Sequence, residues 1–134
     1  MGDIYSREKR SEIMSRVRST DSVAERKVRS ALHRAGYRFR LHRKDLPGKP
    51  DIVLTKHKLI VFVHGCFWHR HEGCSRATIP KTNRDFWVEK FSQNVARDMR
   101  VRKELEAAGW KVRIVWECET TTGKLPSVLS KIFD

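Results

Sequence analysis

The feature that most constrains this chain is the break at Gly65. The apolar, β-branched run Leu59-Ile60-Val61-Phe62-Val63 stops there, and residues 66–82 carry Cys, His, aromatic and basic side chains with no hydrophobic period. A long helical pattern and a second apolar run, Trp110 to Trp116, follow. Two such runs separated by a helix are predicted to lie side by side in parallel, because a parallel connection needs a crossover of that length. Thr82 or Asn83 caps the helix, which extends to about Ala108, with Val88, Phe91, Val95, Leu105 and Ala108 on one face and Gly109 as its stop. A long irregular segment in a small domain is uncommon unless it is functional or braced by something other than a core.

Upstream, Ser22-x-x-Glu25 has capping-box spacing, and Val28, Ala31, Leu32 and Ala35 recur at helical intervals before Gly36. A helix over Val23–Ala35 is expected. Tyr37, Phe39 and Leu41 alternate with Arg38 and Arg40 as in a half-buried strand. Pro47-Gly48-Lys49-Pro50 is a turn, and the runs Asp51–Leu54 and Leu59–Val63 flank Thr55-Lys56-His57-Lys58 as an antiparallel hairpin. Leu125, Val128, Leu129 and Ile132 mark a short terminal helix. The order implies an α/β fold: a central mixed β-sheet flanked by helices, with 1–134 as a single domain.

Lys and Arg number 29 against 16 Asp and Glu, for a net charge of +13, which points to a polyanionic partner, with nucleic acid foremost. Residues 1–50 hold 14 of the basic side chains and 6 of the acids, so phosphate contacts are richest at the front. Residues 1–19 have little apolar pattern beyond Ile13, Met14 and Val17 and read as a basic arm. Neither a membrane-length apolar run nor an amphipathic basic helix with bulky anchors is visible, and the start lacks a secretory signal. A soluble, intracellular, DNA-directed protein is expected, with no membrane role.

Three cysteines in such a chain suit metal ligation or free thiols better than a disulfide framework. Cys66-x4-His71-x2-Cys74 clusters three ligands, and Cys118 follows directly on the strand at 110–116. Parallel neighbouring strands would deliver Cys66 and Cys118 to one sheet edge, closing a tetrahedral zinc site with no open position, hence a structural one. His69 or a nearby carboxylate is the alternative fourth ligand.

Asp51 opens a strand directly after a Gly/Pro turn, and a carboxylate there suits a hard cation such as magnesium for phosphodiester hydrolysis. Taken singly it is also an ordinary turn residue. His64 and His69 flank the end of the next strand, where imidazole can move a proton near neutral pH. Asp98 lies on the apolar stripe of the long helix, so it needs a partner, and His64 or His69 is available. Glu25 is the capping-box acid or an outer-shell metal ligand. Phe67, Trp68 and Trp87, set among basic residues, suit stacking on bases, whereas Phe86 is expected to cover the zinc loop or sheet.

Pro47-Gly48-Lys49-Pro50-Asp51, the string Val63-His64-Gly65-Cys66-Phe67-Trp68-His69, Phe86-Trp87-x-Glu89-Lys90 and Trp116-Glu117-Cys118 together resemble the very short patch repair (Vsr) mismatch endonucleases of bacteria, over roughly residues 10–118. The resemblance implies a restriction-endonuclease-like core and an enzyme that nicks the T-containing strand at T:G mismatches left by deamination of 5-methylcytosine. It implies Mg2+ on Asp51 and the Val63 carbonyl, His69 as general base, His64 and Asp98 assisting, and Glu25 in the outer shell. It also implies Zn2+ on Cys66, His71, Cys74 and Cys118, wedging by Phe67, Trp68 and Trp87, and entry of Met14 from the minor groove.

Two departures stand out. Valine occupies position 63, where the best-known member has threonine, so only the carbonyl serves there. Cys74 lies one residue further from His71, a small insertion in the zinc loop. The implied partners are double-stranded DNA carrying T:G, a MutL-type mismatch-repair protein and, functionally, a DNA cytosine methyltransferase. The expected setting is a monomer in the bacterial cytoplasm, at the nucleoid. A non-catalytic zinc-stabilised DNA-binding module would leave Asp51, His64, His69 and Asp98 without joint purpose. An ordinary restriction or mobile-element nuclease would carry an acid and a lysine two apart on the second strand, where this chain has only Leu-Ile-Val-Phe-Val.

Overall fold

In the computed structural model, residues 22–121 and 123–134 are described. Helix α1 (Val23–Arg34) is followed by the strands β1 (Arg40–Leu41), β2 (Ile52–Leu54) and β3 (Leu59–His64), then by the long helix α2 (Arg84–Ala107), β4 (Lys111–Trp116) and α3 (Leu125–Ile132). The strands form one sheet in the order β1-β2-β3-β4, with antiparallel pairs β1/β2 and β2/β3 and the parallel pair β3/β4. The mixed-sheet α/β domain and the α2 crossover are therefore as the patterning predicts. No described helix is long and apolar enough to cross a membrane.

The pleat divides the core in two. Ile52, Leu54, Leu59, Val61 and Val115 pack with Val28 and Leu32 of α1 and Ile132 of α3. Val53, Ile60 and Val112 point the other way, under Leu105 of α2. Both faces of β2 and β3 are thus covered, which is why these strands read as continuous apolar runs rather than alternating ones. Gly48 shows how tightly the layers meet. Its φ is +75°, and a Cβ there would sit 2.5 Å from Val101 Cγ1, so the turn before Asp51 lies directly on α2.

Several expectations are corrected. The strand predicted over Tyr37–Leu41 shrinks to Arg40–Leu41, and Leu41 is exposed, since β1 is an edge that pairs with only two residues of β2. Half of the capping box forms: Ser22 Oγ accepts the Glu25 N–H at 3.2 Å, but the Glu25 carboxylate is engaged elsewhere. On α2 the buried residues are Trp87, Phe91, Asn94 and Leu105, while Val88 and Val95 are exposed. The inward stripe continues through Asp98 and Val101, rotated away from the predicted one because the sheet covers less of this helix than its apolar residues would fill. Asn83 precedes α2 in a left-handed conformation without a side-chain capping bond.

Candidate active site

A cleft of about 520 Å³ opens where α1, β2, β3 and α2 meet, and Glu25, Asp51, Val63, His64, His69 and Asp98 all line it. Asp51 stands at the start of β2, opposite the end of β3, so that its Oδ2 accepts the Val63 main-chain N–H at 2.8 Å. Glu25 reaches the same place from α1 and is only 3% exposed. Burial, then the neighbouring Glu25 charge and hydrogen bond, push the Asp51 carboxyl up to about 7 against the opposing pull of the Val63 N–H and His42. A buried Asp51 carboxyl crowded against a second carboxyl group is the environment a divalent cation relieves, so the oxygen donors fit a hard ion.

The second half of the cleft is imidazole. His69 Nδ1 lies 2.6 Å from Asp98 Oδ2, the pairing that the inward position of Asp98 demands. A carboxylate only accepts, so the proton sits on Nδ1 and Nε2 keeps a lone pair facing outward. His64 stacks on His69 with ring centroids 3.7 Å apart, and its Nδ1 is buried without a hydrogen-bond partner among the described residues. Burial, and then the adjacent His69, lower the His64 pKa to about 3, so it is a neutral ring at physiological pH. Lys49, Arg97 and Arg102 add positive charge to the cleft lining.

The Cys and His ligands assemble at the end of the parallel pair. His64 is in register with Trp116, so Cys66 and Cys118 leave β3 and β4 at equal distances past that rung. The donor atoms of Cys66, His71, Cys74 and Cys118 lie within 4.8 Å of one another, with Cys118 Sγ 3.4 Å from His71 Nδ1. These spacings and soft donors suit a four-coordinate metal. Burial pushes the Cys66 thiol up, a cost that a bound cation reverses. His71 is the histidine grouped with the three cysteines, whereas His69 gathers with His64 and Asp98. Between His71 and Cys74 the chain turns at Gly73, which takes φ +75°.

The metal cluster is not the loop's only brace. Arg70 donates to the carbonyls of Phe67 (3.0 Å), Thr78 (2.9 Å) and Ala77 (2.8 Å), and its guanidinium lies 4.0 Å from the Phe91 ring centroid. Asn94, buried on α2, donates to the Trp68 carbonyl at 3.3 Å. Neither role is legible in the sequence, where Arg70 is one basic residue among many in the loop and only the structure shows its φ of +56°. His42 also escaped notice. Its Nε2 lies 2.8 Å from Glu25 Oε2, and the Glu25, His42 and Asp51 donors form a third compact group.

The aromatics are arranged differently from expectation. Trp68 and Trp87 pack into a buried cluster with Phe91, and Phe67 closes it edge-on with partial exposure. Phe86, expected to cover the zinc loop or sheet, is 61% exposed, because the helix turns it outward while Trp87 takes the inward place. Met14 and the basic arm lie outside the described residues.

The family model for the DNA mismatch endonuclease Vsr matches residues 2–76, a span that holds Asp51, His64, His69 and three residues of the Cys3His cluster. This chain belongs to the Vsr family. It is 50% identical to the type II nicking enzyme V.XorIIP of Xanthomonas oryzae, over all of this chain and 98% of that relative. It is 48% identical to the type II nicking enzyme V.NmeAIP of Neisseria meningitidis serogroup A, covering 89% of this chain and 84% of that one. With the DNA mismatch endonuclease Vsr of Escherichia coli it shares 40% identity over 88% of this chain and 75% of the relative. Asp98 and Cys118, which complete the His69–Asp98 pair and the Cys3His cluster in this chain, lie beyond the span that the family model matches.

Proposed function

We propose that this Vsr-family protein is a magnesium-dependent endonuclease that nicks the T-containing strand of DNA at T:G mismatches arising from 5-methylcytosine deamination, initiating very short patch repair. The observation that carries this reading is the convergence of a paired-carboxylate cation site and a carboxylate-oriented imidazole on one basic cleft. Asp51 and the Val63 carbonyl would hold the magnesium, with Glu25 in its outer shell; when bound, the ion supplies Lewis acidity to the scissile phosphate. His69 accepts a proton from the attacking water at Nε2, and Asp98 holds the opposite nitrogen protonated so that this lone pair stays available. His64, neutral and stacked on His69, presents a polar ring to phosphate or water. Zinc on Cys66, His71, Cys74 and Cys118 fixes the loop that carries His69 and leaves no open coordination position.

Substrate recognition needs the duplex to open beside the mismatch. In this reading Phe67, partly exposed, would lead the wedge between base pairs with Trp68 and Trp87 packed behind it, and Met14 on the arm of residues 1–19 would enter from the minor groove. The net charge of +13 supplies sequence-independent affinity for the backbone. The protein acts as a monomer at the bacterial nucleoid, in the cytoplasm, with links to a MutL-type protein and to a cytosine methyltransferase. Matched duplexes with T:G or C:G at one position in a methylation context, incubated with magnesium or EDTA, test this. Magnesium-dependent nicking of the T strand alone is expected; binding without cleavage in every context would replace the enzyme with a DNA-binding module.

A further inference from the structure

Glu25 is the most buried charged side chain lining the cleft, and two donors converge on its Oε2: Arg29 Nη1 at 3.0 Å from the same helix, and His42 Nε2 at 2.8 Å from beyond the edge strand. His42 also adopts φ +48°, the left-handed region that non-glycine residues seldom enter. In that conformation its main-chain N–H donates to the Asp51 carbonyl at 3.1 Å, one step past the β1/β2 ladder. One residue therefore ties down both acidic residues: the main chain of Asp51 through its own N–H and the carboxylate of Glu25 through the imidazole. Strained backbone held at a site by two tethers points to a role there.

We propose that His42 is a positioning residue of the active site, clamping the Glu25 carboxylate beside Asp51 and so setting the affinity of the cleft for its divalent cation. The proposal rests on the metal-dependent nicking reading above. His42 is not itself a ligand in this arrangement, because a nitrogen that donates its proton to a carboxylate has no lone pair left for an ion. Without the clamp, Oε2 keeps only Arg29 of these two donors, and the pull of that guanidinium competes with the Glu25–Asp51 hydrogen bond for the carboxylate. The preorganised pair then has to be rebuilt on binding.

The test compares wild type, His42→Asn and His42→Gln. Asparagine tolerates the left-handed backbone but its amide stops short of Glu25, whereas glutamine has the reach and a neutral N–H donor. The free protein is titrated with Mn2+ and read by EPR, alongside the metal concentration for half-maximal nicking, KM for DNA and the melting temperature in EDTA. The asparagine variant is expected to weaken Mn2+ binding about tenfold and to shift the metal dependence of nicking equally, the loss of one charge-assisted hydrogen bond, with KM for DNA unmoved. Glutamine recovers most of both. Equal Mn2+ binding by all three proteins overturns the clamp, as does equal weakening in both variants with a matching drop in melting temperature. If wild type binds Mn2+ in the His42-dependent way but does not nick T:G duplexes, the clamp stands and the reaction assignment falls; nicking with no effect of His42 on Mn2+ gives the reverse.

Discussion

The Cys3His cluster and the carboxylate–imidazole cleft are built from the same stretch of chain, yet they are opposite kinds of site. From His64 to His71 the ligands interleave: His64 and His69 face the cleft, while Cys66 and His71 face the metal cluster. The cluster gathers four donors, enough to close a tetrahedral ion completely, and buries Cys66 fully. The cleft takes hard donors, crowds two carboxyl groups together and is lined by the basic residues Lys49, Arg97 and Arg102. One anchors the loop so that the other is held in register, and rigidity is placed beside unsatisfied chemistry rather than within it.

The sharpest break of this comparison is Asp51→Ala, expected to reduce nicking on the order of a thousandfold while DNA affinity changes only a few-fold, since the cation site is lost and the basic surface is not. Single-turnover cleavage and a gel-shift titration at one salt concentration read the two effects. Comparable nicking by the variant would remove Asp51 from the metal.

Cys118→Ser attacks the closed site. Bound zinc and melting temperature should fall together, by several kcal/mol of stability, and nicking should fall with them because His69 shares the loop. Metal analysis with calorimetry checks this; unchanged zinc stoichiometry would take Cys118 out of the cluster.

The open site has its own signature in pH. In the metal-free folded protein the Asp51 carboxyl titrates near 7, against 3.8 for an unperturbed aspartate. Between those values the folded state holds a proton that the unfolded chain has released, so this group makes stability fall as pH rises from about 4 to 7. His64 does the opposite, titrating near 3 when folded and 6.5 unperturbed, so its contribution to stability rises with pH over that window. The difference between wild type and Asp51→Asn isolates the first effect. In EDTA the variant should gain a few kcal/mol on wild type between pH 4 and 7 and then level off, by denaturant titration. A pH-independent difference would mean that Asp51 is not strained by burial.

Asp98→Asn should lower kcat about a hundredfold with KM unmoved, because the amide no longer fixes the His69 tautomer. Smallest of all, Phe86→Ala should change stability by less than about 0.5 kcal/mol, as its ring is exposed. A larger loss would give Phe86 the covering role that its exposure denies.

Much of the candidate site could be read from residue types. Three cysteines and a histidine at one predicted sheet edge, an aspartate after a Gly/Pro turn and an acid on an apolar helical stripe each imply a partner, and the parallel β3/β4 pair brings them together as expected. The errors share one cause. Val88 and Val95 fit a helical period, but period says only which residues share a face, not how much of it the sheet covers. Phe86 and Trp87 are adjacent, so only the rotation of α2 against the loop chooses which one is buried.

The sequence by itself therefore determined the elements, the parallel crossover, the chemical character of both sites and the polyanionic partner, because period, ligand type and net charge are local or additive properties. Tertiary structure alone decided which histidine serves which site, the rotation of α2, the bracing by Arg70 and Asn94, and the grip of His42 on Glu25 and Asp51. Those depend on hydrogen bonds between residues as much as 47 positions apart, and on backbone torsions such as φ +48° and +56° that no single residue type announces.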